Sequence, residues 1–117
     1  MARNIFKGLG VALITPFTSD GNVDYKSLTR LVEYQIDDGA DFLCILATTS
    51  EAPCLSAEEK EKVKQLVIEV NRGRLPLLMG CGGNNTKAIV EELKNSDWRG
   101  IDGVLSVCPY YNKPSQE

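Results

Sequence analysis

Short apolar runs alternate with amphipathic helical patterns along this chain at intervals of about 30 residues, the length of one strand–helix unit with its two loops. The runs occupy residues 9–14, 42–46, 75–79 and 103–107. Each is too short and too uniformly apolar to be a surface helix. Strands apolar on both faces, joined through helices, imply a parallel sheet covered by helices. Two architectures satisfy that pattern. A doubly wound sheet of four or five strands could be complete near this length. A closed eight-stranded barrel needs about 250 residues, so this chain would be its first half. Periodicity does not separate them.

The intervening segments carry specific helix signals. Asp24 is placed to N-cap the first helix, with Val23 and Leu28 as a hydrophobic staple around it. Leu28, Leu31, Val32, Gln35 and Ile36 fall on one helical face, and Gly39 ends the segment. Ser56 and Glu59 form a capping box ahead of a stripe of Val63, Leu66, Val67 and Val70, with Glu58 and Lys62 an i, i+4 pair and Gly73 after the end. A third helix begins near Asn85 or Thr86 and is expected to bury Ile89, Val90 and Leu93.

The 117 residues have the length of one domain, and the net charge of −3 offers no basic stripe for nucleic acid. No apolar run approaches the ~18 residues that cross a bilayer. The N-terminal residues lack the apolar core of a signal peptide, so a cytoplasmic location is expected. Cys44, Cys54, Cys81 and Cys108 form no Cys-x-x-Cys pair and are expected to be reduced and buried as small hydrophobes. The chain has no histidine, which removes Ser-His and Cys-His nucleophile pairs and His-containing metal sites. No metal site and no cofactor are expected.

In either architecture ligands bind at the carboxyl ends of the strands. Those ends carry Thr15 and Pro16, then Thr48, Thr49, Ser50 and Glu51, then Gly80, Cys81, Gly82, Gly83 and Asn84, then Pro109, Tyr110 and Tyr111. Hydroxyls, open backbone and one carboxylate thus share a rim suited to a small acidic ligand. Gly80, Gly82 and Gly83 fit a tight strand-to-helix turn better than a phosphate cradle, since their spacing matches neither phosphate-binding fingerprint. Thr48 and Thr49 serve equally as loop caps or as ligand groups. Adjacent tyrosines on an alternating strand cannot both enter one core, so one of Tyr110 and Tyr111 faces the mouth or a neighbouring subunit.

These residues resemble the dihydrodipicolinate synthase/N-acetylneuraminate lyase family of pyruvate-dependent class I aldolases, across essentially the whole chain. The resemblance rests on residues 10–17, on 48–51 with Leu55 and Ser56, on 80–84, and on 109–117 (Pro-Tyr-Tyr-Asn-Lys-Pro-Ser-Gln-Glu), the last specific to the synthase branch. The paired threonines also favour that branch over the neuraminate lyases. The resemblance implies the first half of a (β/α)8 barrel, with residues 1–117 the N-terminal part of one incomplete domain. It implies condensation of pyruvate with aspartate semialdehyde through a lysine Schiff base, in lysine and diaminopimelate biosynthesis, by a homotetramer of tight dimers. By that resemblance Thr48 belongs to a proton relay, the backbone of Thr49 helps hold the pyruvate carboxylate, and Tyr111 reaches into the neighbouring subunit's site. Tyr110 is the interface tyrosine, and Tyr110 and Asn84 remain from a lysine-feedback site. A neuraminate-lyase-like activity, or a catalytically dead half-barrel acting in binding or assembly, are the alternatives.

The chain departs from the family in three respects. The usual Gly-Thr-Thr-Gly-Glu-Ser reads Ala-Thr-Thr-Ser-Glu-Ala at 47–52, so two glycines are replaced. Ala57, Lys60 and Ala88 stand where inhibited enzymes carry the histidine and glutamate that bind lysine, which predicts insensitivity to lysine. The Schiff-base lysine belongs to a later strand. Lys26, Lys60, Lys62, Lys64, Lys87 and Lys94 are expected on helices with solvated ammoniums, and Lys7 and Lys113 lie outside the strands. The isolated chain is therefore expected to be inactive, and to self-associate through free apolar edges.

Overall fold

The computed structural model describes residues 4–112 and Ser115, so Lys113, Pro114, Gln116 and Glu117 of the final motif lie outside the described residues. Four strands, β1 (Gly10–Ala12), β2 (Phe42–Ile45), β3 (Leu77–Gly80) and β4 (Gly103–Leu105), alternate with three helices, α1 (Tyr25–Asp37), α2 (Ala57–Asn71) and α3 (Thr86–Asn95). A 3₁₀ turn at Ala52–Cys54, absent from the periodic pattern, follows β2. All strand pairs are parallel and the sheet order is β1-β2-β3-β4.

That order separates the two architectures. In a doubly wound sheet the strand order reverses at a switch point, which places helices on both faces. Here every crossover moves the chain one strand in the same direction, and right-handed crossovers then place every helix on one face. The molecule is 23 Å thick, one sheet plus one helix layer. Its radius of gyration of 14.8 Å exceeds the ~13.4 Å of a compact chain of this length. Both values describe an open arc of a (β/α)8 barrel.

The caps act as the sequence predicts. The Asp24 carboxylate accepts from the Ser27 amide at 3.0 Å, and Gly39 takes a φ of 96° after the end of α1. Ser56 and Glu59 close a complete capping box, and Asn85 caps α3. Leu43 and Ile45 of β2 and Leu77 and Met79 of β3 face the helices and pack with Leu28, Val32, Val63 and Val67. The opposite face is the barrel interior. Near the strand starts it is filled by the Phe6 and Phe42 rings, 5.5 Å apart and edge-on. Gly10 and Gly103 make that possible: a Cβ on Gly10 would meet the Phe42 ring at 2.1 Å, and one on Gly103 the Phe6 ring at 2.8 Å.

Three sequence expectations are corrected. None of α3 is fully buried, and Val90 is among the exposed apolar residues with Leu9, Ile14, Leu105 and Val107. Among the described residues no element covers the face of α3 away from α2. Cys44 and Cys81 are buried, but Cys54 and Cys108 are exposed because they sit in rim loops beyond the strands. Lys64 is not solvated: its side chain is 3% exposed, and Nζ contacts Glu61 at 2.8 Å and donates to the Asp97 carbonyl at 2.9 Å. An ammonium so enclosed is tolerated because charged and polar partners replace its water.

Candidate functional site

The rim at the strand ends is shaped by a sharp departure of the chain from β2. Leu46 takes a φ of 54°, a left-handed conformation that a bulky residue rarely adopts, and its side chain is buried. The next residues fold as a turn, with the Ser50 amide donating to the Ala47 carbonyl at 3.1 Å and the Glu51 amide to the Thr48 carbonyl at 2.9 Å. Thr48 and Thr49 stand exposed at its apex. Glu51 takes a φ of 55° and leads into the 3₁₀ turn.

The two positions where the family pattern has glycine do not need it here. Positive φ falls on Leu46 and Glu51, on neither Ala47 nor Ser50. Ser50 is buried, and its hydroxyl donates to the Leu13 carbonyl at 2.6 Å. In return the buried Thr15 hydroxyl donates to the Ser50 carbonyl at 2.7 Å. This reciprocal pair joins the end of β1 to the turn after β2. Sequence reasoning placed both residues on the rim but had no signal for the bonds between them.

On the other side, the turn leans on β3. A Cβ on Gly80 would lie 2.3 Å from the Leu46 carbonyl oxygen and 2.7 Å from the Ala47 Cα, so only glycine admits this approach. Gly82 gives similar room to the chain after β4, since its Cβ would meet the Val107 amide nitrogen at 2.9 Å. The Cys81 amide donates to the Leu105 carbonyl at 3.0 Å and carries the β3–β4 pairing up to the rim.

After β4 the chain reaches Tyr110 and Tyr111. Tyr111 has a φ of 67°, and the Asn112 amide donates across it to the Tyr110 carbonyl at 2.7 Å. An i→i+2 bond around a positive φ is the rare, strained form of γ-turn. It holds Tyr111 away from the protein, 90% exposed. Strain of this kind in a non-glycine residue persists at sites where side-chain direction matters.

A cavity of about 260 Å³ lies among these ends. Thr48, Gly80, Gly82, Val107 and Tyr110 line it, with Lys60 of α2. Of the residues predicted from sequence, Thr48 and Tyr110 therefore share one cavity, while Thr49, Asn84 and Tyr111 lie on the rim outside its lining. A neighbouring cleft of about 410 Å³ between α2 and α3 shares Lys60, Gly80 and Cys81 with it and adds Lys64 and Glu92. Burial there, with Glu92 adding to it, pushes the Cys81 thiol up to about 11. Burial also raises the Cys44 thiol. Among the described residues no three Cys, Asp or Glu side chains converge to hold a metal ion.

Residues 5–117 match the model of the dihydrodipicolinate synthetase family. The chain is 57% identical over 117 residues to the 4-hydroxy-tetrahydrodipicolinate synthase of Phocaeicola vulgatus, covering all of this chain and 39% of that protein. It is similar to the crystal structure of the chloride-inhibited dihydrodipicolinate synthase of Acinetobacter baumannii complexed with pyruvate. That likeness has a TM-score of 0.87 at 43% identity, over 93% of this chain and 38% of that one. The N-acetylneuraminate lyase of Mycoplasma synoviae matches with a TM-score of 0.84 at 33% identity, over 96% of this chain and 39% of that one. The chain thus spans about two fifths of the length of the curated relatives it matches.

Proposed function

The chain belongs to the dihydrodipicolinate synthetase family, and from that premise we propose that the protein carrying it condenses pyruvate with L-aspartate 4-semialdehyde. The product is 4-hydroxy-tetrahydrodipicolinate, and the reaction runs through a Schiff base between pyruvate and a lysine supplied by a later strand. Residues 1–117 are then the N-terminal part of one barrel domain in a cytoplasmic homotetramer. The observation that carries this reading is the gathering of Thr48 and Tyr110 on one cavity at the carboxyl ends of three adjacent strands.

The chemistry moves protons more than once. An amine adds to the pyruvate carbonyl, water leaves to give an iminium, and a methyl proton departs to give the nucleophilic enamine. The enamine attacks the aldehyde, water releases the lysine, and the freed ketone condenses with the amino group of the aspartate-derived half, losing water to close the ring. Hydroxyl groups within hydrogen-bond reach can pass these protons without histidine, which the chain lacks. Thr48 serves as the relay hydroxyl of this subunit. The backbone at Thr49 takes the pyruvate carboxylate, and Tyr111, extended on its strained turn, completes the relay of a neighbouring subunit. Tyr110 packs at the subunit junction, beside the feedback-site remnant to which Asn84 also belongs.

Borohydride reduction in the presence of pyruvate tests this directly. A full-length synthase whose first 117 residues are this chain should gain the mass of one reduced pyruvate adduct on a single lysine. The isolated chain should gain none, because Lys64, the one enclosed lysine among the described residues, is engaged on the helix face of the sheet. An adduct on the isolated chain would overturn the assignment of the nucleophile to a later strand. The likeness to the Mycoplasma lyase supports a second reading, cleavage of N-acetylneuraminate to pyruvate. Comparing turnover of the two substrates by one preparation decides between them.

A further inference from the structure

The 47–51 turn that presents Thr48 makes no backbone hydrogen bond to the strands of the sheet. In the β1–β2 ladder, the Leu13 amide donates to the Cys44 carbonyl at 2.9 Å. In a regular parallel ladder the Leu13 carbonyl would next accept from the amide two residues beyond Cys44, that of Leu46. But Leu46 has turned left-handed and the strand has ended at Ile45. The Leu13 carbonyl instead accepts from the Ser50 hydroxyl at 2.6 Å. The Thr15 hydroxyl closes the second bond of the pair on the Ser50 carbonyl. Both side chains are buried, so water does not compete for these bonds.

We infer that the Ser50 hydroxyl is a positioning group: it substitutes for the missing rung of the ladder and holds the turn so that Thr48 keeps its place on the cavity. It touches no substrate and acts only through Thr48. The opposite side of the turn closes on Gly80 without a backbone hydrogen bond to β3, so the hydroxyl pair sets the turn's height above β1. This role rests on the reading of Thr48 given under the proposed function, whereas the clamp itself rests on geometry alone.

The test uses a full-length synthase beginning with this chain, as wild type, Ser50→Ala, Thr48→Val and the double variant. Amide hydrogen exchange reads the clamp. Ser50→Ala should speed exchange at Ser50 and Glu51 by about tenfold or more while the β2 and β3 amides keep their rates. Turnover reads the positioning. A displaced relay group should lower kcat by about tenfold in the wild-type background. With the hydroxyl of residue 48 already gone, Ser50→Ala should cost little more. Unchanged exchange in Ser50→Ala refutes the clamp whatever the enzyme does. Faster exchange with an equal loss of kcat in both backgrounds makes Ser50 merely structural and refutes the positioning role. A wild type without synthase activity refutes the functional reading, and the positioning role with it, while the exchange result still judges the clamp. Should Ser50→Ala fail to fold, Thr15→Val removes the reciprocal bond at nearly constant volume and is judged by the same outcomes.

Discussion

Replacing Gly80 by alanine places a methyl group where the Leu46 carbonyl oxygen, the Leu46 carbonyl carbon and the Ala47 Cα lie 2.3, 2.7 and 2.7 Å away. All three are backbone atoms and none can rotate aside. Restoring ordinary contact distances requires the Leu46–Ala47 peptide to withdraw by roughly 1 Å. That movement works against the buried Leu46 side chain on one side and the Ser50–Leu13 bond on the other. Overpacking of this kind costs about 1–3 kcal/mol, and reduced freedom of the unfolded chain returns about 0.4–1 kcal/mol, leaving a net loss near 1–2 kcal/mol. In a full-length synthase carrying this segment, the loss appears as a lower urea midpoint at unchanged slope. Turnover should fall with it, because Thr48 follows the peptide that moves. Gly39→Ala is the matched control. Its Cβ meets nothing within 4 Å, but a φ of 96° makes alanine strained there, at about 1–2 kcal/mol. The two variants should lose similar stability, and only Gly80→Ala should lose turnover at temperatures where both are folded. A Gly80→Ala enzyme with wild-type midpoint and wild-type kcat would show that the turn does not rest on β3, and the reasoning would fail.

Thiol labelling of the folded protein near pH 8 should modify Cys54 and Cys108 quickly and spare Cys44 and Cys81. At about 11 the Cys81 thiol holds roughly two hundredfold less thiolate than an ordinary thiol near 8.5; equal rates at all four would contradict the burial. Asp97 is held well below the usual carboxylate range by hydrogen bonds from the Arg99 side chain and backbone. Folding therefore favours its ionised form, and its contribution is present above the unfolded value near 3.9 and lost as pH falls toward the folded one. Stability curves of wild type and Asp97→Asn should accordingly differ near neutrality and draw together only as pH falls well below about 4, whereas a constant gap would point to another cause. Lysine should not inhibit a full-length enzyme carrying Ala57, Lys60 and Ala88, since no acidic group there pairs the effector's ammonium. Strong inhibition by sub-millimolar lysine, measured by initial rates, would refute this.

Much of the fold was legible locally. Asp24, the Ser56 and Glu59 box, Asn85 and Gly39 are helix boundary signals complete within four or five residues, and each acts as its chemistry dictates. Strand limits were less legible. The third apolar run spans 75–79 but the strand covers Leu77–Gly80, because pairing depends on neighbours rather than on hydrophobicity. Lys64 shows the limit for side chains: it lies beside Val63 on α2, and only the carbonyl of Asp97, a helix away in sequence, reveals that its ammonium is enclosed.

The sequence by itself determined the number and order of strands and α-helices, the caps that bound the helices, the family, and the residues gathered on the rim. It left two architectures open because a doubly wound sheet and a barrel share the same strand–helix alternation. Only the tertiary structure decided between them, through a strand order that never reverses. The same holds at the site. Thr48 could be named from its neighbours in the chain, but the groups that hold it come from the ends of three strands. Leu13 and Thr15 stand 37 and 35 residues from Ser50, in bonds that no local pattern encodes. Packing chose them because a strand that leaves its sheet early leaves a carbonyl behind, and a buried carbonyl must find a donor.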